Sequence, residues 1–184
     1  ILGKAGKKIT QRDMELLLTK TGTDMGNLRM EMEKLISYTE GRDVVTAEDI
    51  EEICTTQTTN RIFDMVRAVT EKNQKRALEL YYDLLTLKEP PMRILFLLAK
   101  QYRQLLLAKQ FAAAGLAQTE IGSKLGVPGF VVKNITTCAR AYTISELEQA
   151  VKDFVDAEES VKTGRLEDKL SVELLIIKYS SKVK

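Results

Sequence analysis

With 184 residues, 44% of them hydrophobic and 29% charged, the chain has the balance of a folded protein, long enough for one large domain or two small ones. Its 28 Lys and Arg against 26 Asp and Glu give a net charge of +2, so no whole-chain excess of cations signals nonspecific nucleic-acid binding. Histidine is absent, and the two cysteines, Cys54 and Cys138, lie far apart without metal-ligand spacing; this excludes histidine-based catalysis and argues against a zinc site or a disulfide framework, pointing to a reducing cytosol.

Aromatics are only 6% and Trp is absent, so the core must be built from Leu, Ile, Val, Ala and Met, a set that favours packed helices over a sheet. The chain opens on Ile1 with no signal-peptide pattern and reads as a soluble piece of a longer polypeptide. No apolar run approaches a membrane span; the longest, residues 94–99, is closed by Arg93 and Lys100.

Thr10 with Asp13 is the expected cap of a first helix carrying Met14, Leu17 and Leu18, ended by Gly22. Asp24 opens a second through Leu28, Met32, Leu35 and Ile36, stopping near Gly41. Thr46, followed by Glu48 and Asp49, caps a short third helix through Ile50 and Ile53, with its carboxylates where the helix dipole favours them. The polar run 55–60 is the candidate linker, since it holds no apolar residue.

Beyond it, Asn60 is the expected cap of a helix at 62–69, and residues 74–87 repeat the pattern through Leu78, Tyr81, Leu84 and Leu85. Glu89-Pro90-Pro91 breaks the chain and sets Pro91 in the first turn of a helix to about Ala114. Its residues 94–98 cover nearly the full circumference, which predicts a central helix wrapped by others, with Lys100, Arg103 and Lys109 on a wetter flank. Helices at 118–125, 128–140, 145–162 and 167–179 complete the set. The last has two apolar stripes, Leu170, Leu174 and Ile177 on one side and Val172, Leu175, Ile176 and Tyr179 on the other; one docks the helix, and the other needs a second partner within the chain or on a neighbour.

Constellations for chemistry are sparse. Residues 3–8 contain glycines and lysines but not the phosphate-loop spacing G-x-x-x-x-G-K-[ST], and read as a solvated chain end. The acidic pairs Glu48/Asp49, Glu51/Glu52 and Glu158/Glu159 occupy adjacent helical positions that diverge, and read as solvated faces. Residues 118–140 form a helix, a glycine turn at Gly126 and a second helix from Pro128, which is the outline of a DNA-binding helix-turn-helix regulator. The positions that would meet base edges are Gly129, Phe130, Val131 and Val132; only Lys133, Asn134 and Arg140 offer useful hydrogen bonds. The alternative is a tight helical corner with Phe130, Val131 and Ile135 in the core.

The order of motifs carries more than any one of them. Gly22-Thr23-Asp24-Met25-Gly26-Asn27-Leu28, Glu31-Met32-Glu33-Lys34-Leu35 and Val45-Thr46-Ala47-Glu48-Asp49-Ile50 come first. Phe63-Asp64, Ala68-Val69, Ala77-Leu78, Glu89-Pro90-Pro91 with Ile94-Leu95, and Gln101, Arg103 and Leu105-Leu106 follow. Glu120-Ile121, Leu125-Gly126, Lys133, Ala157-Glu158, Lys162-Thr163-Gly164 and the apolar terminal helix close the set. Together these resemble the delta-subunit family of bacterial DNA polymerase III clamp loaders, across essentially the whole chain.

The resemblance implies an all-α protein, with a small three-helix AAA+ lid-like domain at 1–56 and a helical collar, an oligomerisation domain, at 57–184. The family's ATPase-like front domain is missing from this sequence. It implies a non-catalytic subunit that joins delta-prime and tau/gamma to load the sliding clamp on primed DNA during replication. The clamp would be met through the absent front domain and DNA only indirectly, in the bacterial cytoplasm at the replisome and with no membrane contact. The parent complex belongs to a DNA-directed DNA polymerase holoenzyme, a nucleotidyltransferase. No catalytic residue, cofactor or metal ligand is assigned to this chain. The terminal helix, residues 167–179, is the expected subunit interface, with Leu175 as its test position.

Overall fold

The structure, a computed structural model, describes residues 1–22, 24–55 and 58–181, apart from the side chains of 59 and 60. Among these the chain is all-helical: ten α-helices, a 3-10 turn at Leu2–Ala5 and one isolated parallel bridge between Lys8 and Val44. It divides into two compact units, Ile1–Asn60 and Arg61–Lys184.

In the first unit, local hydrogen bonds set the helix boundaries. Helix α1 (Gln11–Thr21) begins where Thr10 Oγ1 accepts from the Asp13 N–H at 3.1 Å, and ends at Gly22, whose φ of +78° suits glycine. Helix α2 (Met25–Tyr38) starts at Asp24, whose carboxylate accepts from the Asn27 N–H at 2.9 Å. Helix α3 (Ala47–Ile53) has a reciprocal capping box between Thr46 and Asp49. Leu2, Leu17, Leu28, Leu35, Val45, Ile50 and Cys54 form the core.

Three lysines then satisfy carbonyls that helix ends leave open. Lys20 Nζ donates to Ile50 O at 3.0 Å and to Glu51 O at 2.5 Å. Lys34 Nζ donates to Ile53 O at 3.3 Å, and Lys7 Nζ to Thr39 O and Arg42 O at 2.7 and 2.6 Å. Each places a cation where the helix dipole is negative. Residues 3–6 and 8 are exposed, as expected of a solvated end, but the segment is tied to the unit on both sides. Leu2 is buried, and the Lys8 N–H donates to Asp43 O at 2.6 Å while its carbonyl accepts from Val45 at 2.9 Å.

The second unit holds α4 (Thr58–Thr70), α5 (Gln74–Thr86), α6 (Pro91–Ala113), α7 (Gln118–Leu125), α8 (Gly129–Ala139), α9 (Ile144–Lys162) and α10 (Asp168–Ser180). Helix α4 starts earlier than expected, so residues 58–60 of the anticipated linker are helical. Residues 56 and 57, and the side chain expected to make Asn60 a cap, lie outside the described residues. Asn73 caps α5 by accepting from the Arg76 N–H at 3.1 Å, and Pro91 occupies the first turn of α6, where its missing N–H costs nothing.

Helix α6 touches α7, α8, α9 and α10, and buries Ile94, Leu95, Leu98, Tyr102, Leu105 and Ala108 among them. It is not wrapped on every side, however. Phe96 is 64% exposed. Successive residues turn by about 100° on a helix, so five apolar residues in a row must send at least one side chain away from neighbours gathered on one side. At the buried side, the Tyr102 ring lies 5.0 Å from Phe154, 5.5 Å from Tyr179 and 5.8 Å from Tyr142, and the Tyr102 and Tyr142 hydroxyls share a 3.1 Å hydrogen bond. Burial pushes the Tyr142 phenol up to about 12, so this contact is a bond between neutral hydroxyls.

Candidate functional site

Helix α10 presents two apolar stripes; its neighbours cover one, and of the other they half-bury Ile177 and leave Leu170 and Leu174 exposed. Val172, Leu175 and Ile176 are buried, Leu175 at 7% exposure, while Leu170 and Leu174 on the other side are 42% and 48% exposed. Leu175 is thus a core residue and not an interface residue, which corrects the test position drawn from sequence. Both stripes satisfy the same helical spacing, so the pattern alone does not rank them.

Long-range contacts fix the rotation of α10. On one flank the Tyr82 hydroxyl of α5 donates to Glu173 Oε1 at 2.8 Å, and the Tyr81 hydroxyl donates to Lys169 O at 2.9 Å. On the other flank Asp153 of α9 accepts from Lys178 Nζ at 2.5 Å and from the Tyr179 hydroxyl. Burial by itself raises the Asp153 carboxyl, but the hydrogen bonds from Lys178, Tyr179 and Gln149 outweigh it and hold the group below the usual carboxylate range. Lys72 Nζ closes the end by donating to Tyr179 O at 2.9 Å. The result is an open strip of Leu170 and Leu174, with Glu173 beside them and the 47% exposed Tyr82 ring bonded to it. Tyr82 was not singled out from sequence, although it continues an apolar spacing with Leu78 and Leu85 that one buried face does not need.

The 118–140 corner forms as a helix pair. Gly126 takes φ +65° at the turn, and Gly122 permits the close approach of the two helices: a Cβ there would sit 3.0 Å from Val127 O and 3.1 Å from Val132 Cγ2. Val132, Ile135, Cys138 and Ala139 turn inward, while Phe130 and Val131 are half-buried. Of the residues with base-reading capacity, Lys133 and Arg140 are exposed and Asn134 is half-buried. Asn134 lines a cleft of about 350 Å³ with Arg67, Thr70, Glu71, Thr137 and Cys138. Thr70 and Thr137 donate their hydroxyl protons to the carbonyls of Arg67 and Lys133, and burial pushes the Cys138 thiol up. Nothing there activates a nucleophile.

The pairs Glu51/Glu52 and Glu158/Glu159 do diverge, each member finding its own partner. Glu51 meets Lys20 at 2.9 Å, Glu52 accepts from the Tyr38 hydroxyl at 2.8 Å, Glu158 meets Lys162 at 2.5 Å and Glu159 meets Arg165 at 3.1 Å. Asp49 corrects the solvated-face expectation: it is only 5% exposed, and it holds Arg42 at 2.8 Å as well as the Thr46 N–H. Among the described residues, no group of three His, Cys, Asp or Glu side chains is placed to hold a metal, and no helix is long and apolar enough to cross a membrane. The arrangement offers surfaces for association.

Comparison with known proteins agrees in direction. A family described as "DNA polymerase III delta subunit, C-terminal domain" matches residues 59–179. The DNA polymerase III subunit delta of Bacillus subtilis (strain 168) is 27% identical over 171 residues, which is 93% of this chain and 49% of that protein. The probable DNA polymerase III subunit delta of Aquifex aeolicus (strain VF5) is 22% identical over 129 residues, 70% of this chain and 37% of that protein. A solved structure of the Bacillus subtilis DNA clamp loader delta protein matches with a TM-score of 0.87 at 25% identity, covering 98% of this chain and 53% of that one. The chain spans about half the length, or less, of the relatives it matches.

Proposed function

Because the chain belongs to the family of the DNA polymerase III delta subunit, C-terminal domain, we propose that it is the assembly-bearing half of a clamp-loader delta subunit. In this reading the three-helix unit at 1–56 is an AAA+ lid-like domain, and the helices from 57 to 184 are a collar that associates with delta-prime and tau/gamma. The chain contributes no catalysis of its own to the polymerase holoenzyme. It acts in the cytoplasm, where the assembled loader places the sliding clamp on primed DNA.

The observation that carries this reading is the open strip on α10. Leu170 and Leu174 lie on a helix already anchored on both flanks, and within their own unit no neighbour covers them. Apolar residues held rigidly at a surface favour a second helix laid against them. A stable subunit contact of this kind buries roughly 1,200–2,000 Å² around an apolar centre. Tethered front domains would then meet at high effective concentration through modest contacts acting together. Mixing the chain with delta-prime and tau/gamma and measuring the mass of the eluting complex tests the proposal. A stoichiometric complex supports it, and separate elution at micromolar concentration rejects it.

A further inference from the structure

We infer that the open strip on α10 is completed by an arginine of the partner: the helix that covers Leu170 and Leu174 carries a guanidinium that binds the Glu173 carboxylate and lies on the Tyr82 ring. This partner chemistry rests on the assembly reading above. Position is the first observation. Glu173 is three residues beyond Leu170 and adjacent to Leu174, and the Tyr82 hydroxyl reaches it from α5 at 2.8 Å. Leu170, Leu174 and Tyr82 are all exposed, so the half-buried carboxylate stands between the uncovered leucines and an uncovered ring. A helix is about 10 Å wide with its side chains, so one laid on the two leucines covers Glu173 as well.

The second observation is that the fold leaves this carboxylate incompletely bonded. A carboxylate has about four acceptor sites, and the neutral Tyr82 phenol, which its bond to Glu173 pushes up, fills one. Among the described residues no cation pairs with Glu173. Lys178 is held by Asp153 on the opposite flank, and Arg76 by Glu79 at 3.4 Å. The surrounding charge has the same sign. Residues 167–174 hold Glu167, Asp168 and Glu173 against Lys169, and after burial itself these carboxylates push the Tyr81 phenol up.

Covering the leucines strips water from the remaining acceptor sites of Glu173. A carboxylate buried without a cation destabilises a complex more than two half-exposed leucines stabilise it, so the partner must bring the charge. A lysine would answer with a point charge. An arginine answers with two parallel donors in the plane of the carboxylate, and its flat guanidinium also stacks on an exposed ring such as that of Tyr82. The occupant is thus an amphipathic helix with an arginine within one turn of its apolar residues. An acidic or wholly apolar helix leaves Glu173 unanswered.

Binding of the 184-residue chain to purified delta-prime and tau/gamma, followed by sedimentation at several salt concentrations, tests the inference. The wild-type chain assembles. Glu173→Gln keeps the size of the side chain and removes its charge; it weakens assembly about thirtyfold or more, as loss of one member of a buried charge pair does, and flattens the salt dependence. Tyr82→Ala weakens assembly about fivefold, and Tyr82→Phe, which keeps the ring, by less. Glu148→Gln, the same charge change on the exposed side of α9, stays close to wild type. In the wild-type complex an arginine of a partner subunit is shielded from phenylglyoxal, and it becomes reactive in the Glu173→Gln complex. If Glu173→Gln loses helicity by circular dichroism, Glu173→Ala decides instead. Unchanged affinity and salt dependence for Glu173→Gln, where Leu174→Glu still abolishes assembly, overturns the arginine contact and leaves the assembly reading standing; failure of the wild type to assemble overturns both. A complex with no shielded arginine, or equal weakening by Glu148→Gln, also overturns the inference. So does self-association of the chain that Leu174→Glu abolishes, which would assign the strip to a second copy.

Discussion

Replacing Leu174 or Leu175 by Glu separates surface from core with two adjacent residues. Leu175 is 7% exposed, packed in the unit's single large core, so the substitution removes nearly its whole side chain from apolar contact. Burying such a side chain is worth about 1.5–3 kcal/mol, and truncations at comparable sites cost about 2–5 kcal/mol. A carboxylate in that space must either take up a proton or open the packing, which adds about 2–3 kcal/mol. The sum, about 4–8 kcal/mol, rivals the whole stability of a typical domain, ~5–15 kcal/mol. Leu175→Glu should therefore unfold the second unit or bring its denaturant midpoint close to zero. Leu174 is 48% exposed, and a Glu there faces water with Lys178 one turn away, so stability should move by about 0.5 kcal/mol at most. Guanidinium titration followed by circular dichroism measures both stability changes, and co-elution with delta-prime and tau/gamma tests the proposed interface. Leu174→Glu should fold and fail to co-elute. A Leu175→Glu chain as stable as wild type would refute the burial argument, and a Leu174→Glu chain that assembles normally would refute the interface.

Asp153→Asn should lower stability by about 1–2 kcal/mol, since it replaces a carboxylate that accepts charge-assisted bonds from Lys178 and Tyr179. The folded-state carboxyl is held below its unfolded value, so its contribution is complete above about pH 4 and is lost as pH falls through the lower folded value; the variant should show a shallower acid unfolding slope below pH ~4. Gly122→Ala should cost about 1–2 kcal/mol in urea titration, because its methyl would press on backbone at Val127 O as well as on Val132, whereas a neutral result would mean that α7 and α8 can separate freely. Both cysteines are buried and free, and burial pushes the Cys54 thiol up to about 11. A disulfide reagent at pH ~8 should therefore label neither until the protein unfolds, and rapid labelling of native protein would show that these sites open.

Much of the secondary structure was legible because its determinants act within a few residues. The Thr10, Asp24 and Thr46 caps, the Gly22 exit and the Pro91 start are hydrogen-bonding and φ requirements of neighbouring positions, and each appears where the spacing predicted. Boundaries drifted where such a signal was weak, as at α4, which begins at Thr58 although Asn60 looked the better cap. The two apolar stripes of α10 were equally visible. The lysines that close helix ends were not, because Lys20 and Ile50, or Lys7 and Thr39, are some thirty residues apart in sequence.

The sequence by itself determined that this protein is helical, free of histidine and richer in apolar faces than a single core requires, because composition, helical period and capping are properties of neighbouring residues. Only the tertiary structure decided that Leu175 faces inward and Leu174 outward, that Phe96 stays in water, and that Asp49 is buried. Those outcomes depend on which neighbour reaches a given side of each helix, and the Tyr82–Glu173 and Asp153–Lys178 contacts that set the rotation of α10 join residues 91 and 25 positions apart.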